Sequence, residues 1–340
     1  MLCYYALEQN VASSYLDNDM HSRPGILNVL LLIVMLTLQI ACSPANPPNE
    51  IAVKTETKMD SLVTTQWLSE HLDDPDLVVL DCTVLIEVDE KGGFQSISGL
   101  ENYETAHIPG AGFADLMGNL SNPDGKFTFI MPTPEQFSAS MAALGVGDHS
   151  RVVLYTANIP GWAARVWWML RWIGFDQVAL LDGGLEDWIA EGRPVSTDPA
   201  KRPAERLSIK LKPEMIAYRD EVFAATDDGA VSIVDAMPDA HFRGDFALYD
   251  RPGHIPGATN MPSSDLLDET GRYRSFDELE MVYDDGNRDA RVITYCGGGI
   301  AASSVAFTMH RLGFSDVAVY MNSLQEWAAD PANPMTLNTP

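Results

Sequence analysis

Cys296 is followed by Gly297, Gly298 and Gly299 and preceded by the apolar run Val292-Ile293-Thr294-Tyr295. Small residues then open an amphipathic stretch that ends at Gly313, so the segment reads as strand, tight loop and helix. A thiol placed just before a helix N-terminus meets loop N–H groups that lack intrahelical partners, and the helix dipole adds positive potential. Both favour the thiolate, which is the nucleophilic form of cysteine. Glycines let the backbone curl round one centre, because they accept positive φ and carry no side chain. The chemistry available to such a segment is nucleophilic attack by sulfur, with the backbone holding the anion. The alternative is a buried structural cysteine at a strand end, with glycines that only turn the chain.

The elements that position this loop recur along the chain. Residues 77–81 and 151–155 read as buried strands, 162–172 as a helix ending near Gly174, and 178–181 as another strand leading through Gly183-Gly184 into a helix over 185–190. Thr133 and Pro134 read as cap and first position of one further helix. Strands alternating with helices imply an α/β fold, a parallel sheet with helices on both faces. The second half repeats the first. Setting Gly174-Phe175 on Gly313-Phe314 gives an offset of 139 (313 − 174), which pairs Val153 with Val292, Trp188 with Trp327, and Ala157 with Cys296. Upstream, Asp81 pairs with Asp235, and His107-Ile108-Pro109-Gly110 pairs with His254-Ile255-Pro256-Gly257 at an offset of 147 (254 − 107). The difference of eight residues falls in a polar excursion over 118–131. Two tandem domains of one fold follow, over 61–195 and 213–330, with a linker over 196–212 and a tail over 331–340.

Lys and Arg number 22 against 48 Asp and Glu in 340 residues, a formal net charge of −26. That balance argues against nucleic acid and anionic membrane surfaces as partners. The four cysteines, Cys3, Cys42, Cys82 and Cys296, show no zinc-like spacing with histidine, and no metal or cofactor is expected. Cys82 follows a buried strand and reads as a small packed hydrophobe, although a bridge to Cys296 is conceivable in an oxidising compartment. Residues 1–42 read as an export segment: an apolar run over 29–38, Arg23 before it and Ala41-Cys42 at its end. Ala41-Cys42 resembles the end of a bacterial lipoprotein signal, which implies anchoring through a lipidated Cys42, but Gln39 stands where a Leu is usual. Residues 43–60 read as a tether, and the expected location is the periplasm or the cell envelope. Oligomeric state is not legible.

Taken together, the paired His-Ile-Pro-Gly segments, Asp235-Ala236, Tyr295-Cys296-Gly297 with its glycines, the 163–171 helix and Leu181-Asp182-Gly183-Gly184 resemble the rhodanese-type sulfurtransferases of tandem two-domain form. The resemblance implies an inactive first domain and a catalytic second one. It also implies that Cys296 takes a sulfane sulfur from a small donor, thiosulfate or 3-mercaptopyruvate, and passes it to cyanide or a thiol. The backbone N–H groups of Gly297, Gly298, Gly299, Ile300, Ala301 and Ala302 would hold the persulfide.

Several positions depart from that family's pattern. Mercaptopyruvate enzymes read Cys-Gly-Ser-Gly-Val-Thr in the loop, whereas Gly298 and Ala301 replace the two hydroxyl residues here; Met237 and His241 stand where two arginines are usual. Arg243, Arg251 and Arg272 are candidates to supply the missing charge, and the resemblance puts His107 near the interdomain cleft. The recurrence of histidine in both corners otherwise favours a turn role for His107 and His254. Arg165 reads as fixing the domain interface. Phosphatase chemistry needs an Arg six positions after the cysteine, and that position is Ala302. The rival reading is a sulfur carrier or binding protein without turnover.

Overall fold

A computed structural model describes residues 59–88, 94–283 and 287–337. The expected export segment, Cys42 and nearly all of the tether lie outside the described residues. Two five-stranded parallel sheets form the frame. The first contains β1 (Leu62–Val63), β2 (Leu77–Asp81), β3 (Gly112–Phe113), β4 (Arg151–Tyr155) and β5 (Val178–Leu181), in the order β1-β5-β4-β2-β3. The second contains β6 (Ile216–Ala217), β7 (Ser232–Asp235), β8 (Thr259–Asn260), β9 (Val292–Tyr295) and β10 (Val317–Tyr320), in the order β6-β10-β9-β7-β8. The same order with the same sense is the duplication expressed in hydrogen bonds. The strands of both sheet centres are buried on both faces, which is why they read as unbroken apolar runs rather than as alternation.

Helix α1 (Pro134–Ala143) begins as its sequence requires: Thr133 accepts the Gln136 N–H at 3.1 Å and Pro134 takes a position where no donor is needed. Helices α2 (Gly161–Trp172) and α4 (Ile300–Arg311) occupy equivalent places in the two halves and pack on each other. Gly161 makes the approach close, since a Cβ there would lie 3.2 Å from Ile300 Cγ2 and 3.5 Å from Ser304 Oγ. Trp167 meets Phe307 edge to face at 5.0 Å. Trp162, Trp167, Trp168 and Trp172 are all buried, so the tryptophan-rich helix is core and interface. The 196–212 segment crosses the surface of the first half. It is held by Glu205 N–H to Ala142 O at 2.9 Å and by Lys210 N–H to Ile173 O at 2.8 Å.

The strand registers correct one sequence pairing. Asp81 lies opposite Tyr155 as Asp235 lies opposite Tyr295, and Val152 faces Val178 as Val292 faces Val317. The offset on the central strand is therefore 140, not 139. The Thr156 carbonyl accepts Leu185 N–H at 2.9 Å, and the Cys296 carbonyl accepts Leu324 N–H at 3.0 Å. Thr156, rather than Ala157, is the counterpart of Cys296. The first loop has five residues before its helix, 156–160, and the second has four, 296–299. The gapless alignment hid this because it matched strands and helices on either side of a loop that carries no pattern.

The corners behave alike in both halves. Asp81 accepts Thr83 N–H and Asp235 accepts Met237 N–H, each at 2.8 Å, while the Tyr155 and Tyr295 hydroxyls accept Ile108 and Ile255 N–H at 3.2 and 3.0 Å. These contacts pin each His-Ile-Pro-Gly turn to the end of its central strand.

Candidate active site

Cys296 directly follows β9, the central strand of the second sheet, at the carboxyl edge where open parallel sheets form crevices. It is 3% exposed. The Gly299 N–H donates to Sγ at 3.1 Å, and the Cys296 N–H donates to Ser323 Oγ at 3.1 Å. Ser323 Oγ in turn donates to the Tyr320 carbonyl at 2.6 Å. Ser323 holds a left-handed φ of 51°, the conformation its first-half counterpart Gly184 adopts at 55° without a side chain. A serine in that region costs on the order of 1 kcal/mol, offset here by the two hydrogen bonds of its hydroxyl, one of which holds the Cys296 N–H.

Gly299 has φ 82° and caps α4. A Cβ at this position would collide with Arg165 Nη1 and come within 2.6 Å of the Met321 carbonyl. Gly299→Ala is expected to lower stability by about 3 kcal/mol, combining left-handed strain with a clash that backbone cannot relieve. Chemical denaturation would show the loss as a shifted midpoint with an unchanged slope.

The residue beneath the loop is Arg165, from the first half. It is 1% exposed, and its Nη2 donates to the Phe129 carbonyl at 2.6 Å while Nη1 lies 2.6 Å from Met321 Sδ. Among the described residues it pairs with no carboxylate, and Nε has no partner. Burial pushes its pKa down to about 10, and the charge at Cys296 opposes that fall. Arg165 thus lies beneath the loop that carries Cys296 as well as at the interface between the two halves.

The 118–131 excursion explains how the first half reaches across. Phe129, at φ 55°, turns its carbonyl to Arg165, and Thr128 meets Gln325 twice: Oγ1 to Oε1 at 3.1 Å and Nε2 to the Thr128 carbonyl at 2.9 Å. Gln325 also faces Gly298, where a Cβ would lie 3.5 Å from its Nε2.

The other candidate cations are employed elsewhere. Arg251 donates to the carbonyls of Ala328, Asn333, Trp327 and Asp330 at 2.8–3.0 Å, tying down the chain after the last helix. Arg243 pairs with Asp239 and Asp245, and Arg272 pairs with Asp187 and Glu191 of the first half. His107 is fully buried, with its ring nitrogens 2.6 Å from the Tyr103 carbonyl and 2.9 Å from the Asp198 carbonyl, and it stacks on Tyr103 at 4.1 Å. Four of the five Arg251 N–H groups go to these carbonyls and both His107 ring nitrogens lie against carbonyls, so the structure gives both residues structural partners and does not bring either to Cys296. His254 stacks on Phe242 in the equivalent corner, with Nδ1 2.8 Å from the Phe242 carbonyl.

His241, in helix α3 (Asp239–Arg243), is fully buried with no partner on either ring nitrogen, and burial lowers its pKa. It supplies no cation where the resembled enzymes have one. Among the described residues no cluster of histidine, cysteine and carboxylate could hold a metal ion, and no helix is long and apolar enough to cross a membrane.

Tandem parallel sheets, a thiol at the carboxyl edge of one central strand and a guanidinium delivered from the other half define a two-domain protein of the rhodanese class. The chain belongs to the family described as rhodanese-like domain, which matches residues 64–191 and 219–330. It is 30% identical over 275 residues to the 3-mercaptopyruvate sulfurtransferase of Escherichia coli K12, covering 78% of this chain and 94% of that one. It is 32% identical over 281 residues to the sulfur carrier protein TtuD of Thermus thermophilus, covering 78% and 93%. The crystal structure of SseA from Escherichia coli, a 3-mercaptopyruvate sulfotransferase, superposes with a TM-score of 0.69 at 30% identity over 78% of this chain and 99% of that one.

Proposed function

We propose that Cys296 carries a transferred sulfur atom as a persulfide. The chain is a sulfurtransferase. Its thiolate attacks the sulfane sulfur of a small donor, thiosulfate or 3-mercaptopyruvate; the Sγ–S bond forms as the donor's bond to that sulfur breaks, and the electron pair leaves with the remainder. Thiosulfate would leave sulfite. 3-Mercaptopyruvate would leave an enolate that takes the thiol's proton to become pyruvate. A thiol or cyanide then removes the outer sulfur and restores the thiolate.

The observation that carries this reading is the Gly299 N–H donated to Sγ at the carboxyl edge of the central strand, with the buried Arg165 guanidinium packed against Gly299 of the same loop. Both would stabilise the negative charge of a persulfide formed there. Of the six loop N–H groups from Gly297 to Ala302, the structure shows Gly299 donating to Sγ, and the N–H groups of Ile300, Ala301 and Ala302 open the first turn of α4, where they would serve a persulfide. A carrier without turnover is the second reading, favoured by the absence of side-chain cations in the loop and by the likeness to a named sulfur carrier.

The test incubates the protein with each donor, first alone and then with cyanide. An intact-mass gain of one sulfur atom on Cys296, followed by multiple turnovers to thiocyanate with one donor, is the expected result and names the donor. Loading without turnover would select the carrier. No loading with either donor would end the sulfur-transfer reading.

A further inference from the structure

The Tyr249 side chain rests on the loop with its hydroxyl against the backbone. It comes from the segment between α3 and the second His-Ile-Pro-Gly corner, and its phenol oxygen lies directly against Gly297. A Cβ at Gly297 would collide with that oxygen and stand 2.5 Å from Cζ and 2.9 Å from Cε2. Only glycine admits the tyrosine there. Buried His241 meets its ring nearly edge-on, with centroids 6.1 Å apart at 74°. Among the described residues, the Tyr249 hydroxyl has no protein hydrogen-bond partner. Burial first, then the charge at Cys296, pushes its ionisation well above the ordinary tyrosine range, so it remains a proton-bearing donor.

The loop itself offers no hydroxyl near this point, because positions 298 and 301 are Gly and Ala. Sγ already receives the Gly299 N–H. An outer sulfur bonded to Sγ would extend about 2 Å further and would need a donor of its own. A phenol against Gly297, within electrostatic reach of Cys296 and otherwise unengaged, fits that need.

We propose that the Tyr249 hydroxyl is a catalytic residue, the hydrogen-bond donor to the sulfur atom in flight at Cys296, standing in for the hydroxyl side chains that the loop lacks. This rests on the sulfur-transfer reading. In loading, Sγ⁻ forms a bond to the donor's outer sulfur as the electron pair of the breaking bond leaves with the remainder. The negative charge then resides on the outer sulfur, where the phenol O–H shares its proton without releasing it. In discharge to cyanide, the outer sulfur departs as thiocyanate and the electron pair returns to Sγ.

Tyr249→Phe removes the O–H and keeps the ring against Gly297 and His241. Single-turnover loading, followed by the mass of one added sulfur, is expected to slow about tenfold, the usual effect of losing a hydrogen bond to a charged group. In steady state the loss should appear in kcat, with the donor KM changed by less than about twofold, because the contact strengthens as charge builds on the sulfur. Alkylation of resting Cys296 by iodoacetamide should stay within about twofold of the unmodified protein, which reports that the loop is intact. Unchanged loading would overturn the proposal. So would a parallel fall in loading and alkylation, which marks a tyrosine that only props the loop. If the unmodified protein loads no sulfur, the parent reading fails with it, and that result is visible before the variant is made.

Discussion

Cys296→Ser is expected to abolish sulfur loading, with thiocyanate formation at least about 10⁴-fold below the unmodified protein, while leaving the fold in place. The loop N–H groups and Arg165 remain, so the variant isolates the nucleophile. A serine hydroxyl keeps its proton at neutral pH, where a cysteine thiol is already partly ionised and far more nucleophilic. Its smaller oxygen can still accept the Gly299 N–H, and the Cys296 backbone stays tied to Ser323. Intact mass after exposure to donor should show no added sulfur, and the thermal midpoint should move by only a few degrees. Residual loading at a tenth of the original rate would place the sulfur on another residue, and among the described residues the other cysteine is fully buried Cys82.

Arg165→Met should lower the loading rate about 10²- to 10³-fold without unfolding the protein. The guanidinium is buried against Gly299 of the loop that holds the sulfur, and removing one such fixed stabiliser of developing charge typically has an effect of that size. Stability is governed by opposing terms. A buried cation without a carboxylate is costly to hold, and an unbranched apolar chain relieves that cost. The Phe129 carbonyl loses its donor, which costs about 1–3 kcal/mol. The two nearly cancel, so denaturation should shift by no more than about 2 kcal/mol in either direction. A variant that loads sulfur at the original rate would show that Arg165 serves the interface alone.

The strand, glycine loop and helix around Cys296 were legible because each depends on neighbours in the chain. The duplication was legible for the same reason: β4 and β9, and α2 and α4, carry parallel apolar patterns. The loop between them was misregistered by one residue, since glycine, asparagine and proline tolerate an insertion that leaves no trace in periodicity. The missing cation was sought among Arg243, Arg251 and Arg272, all close to Cys296 in sequence or in its own half. Each turned out to have carboxylates or carbonyls of its own, and such long-range partners leave no mark in local sequence. A usable signal did exist in Arg165, a single charge in the middle of a helix buried on nearly every side. A charge in such a place needs polar partners from elsewhere in the fold, and those at Phe129 and beneath the Gly299 loop lie far from it in sequence. Tyr249 had no signal of any kind, because its contact with Gly297 bridges 48 positions (297 − 249) through a loop.

The equivalence of α2 and α4 sets Arg165 opposite Ser304, just as the central strands set Thr156 opposite Cys296. One copy of the duplicated unit thus carries the cation without the thiol, and the other the thiol without the cation. Neither can act as a spare for its twin. On the sulfur-transfer reading, either half alone would lack one of the two groups. Substitution at Arg165 or Phe129, in the half without the cysteine, should therefore impair transfer as substitution in the glycine loop does.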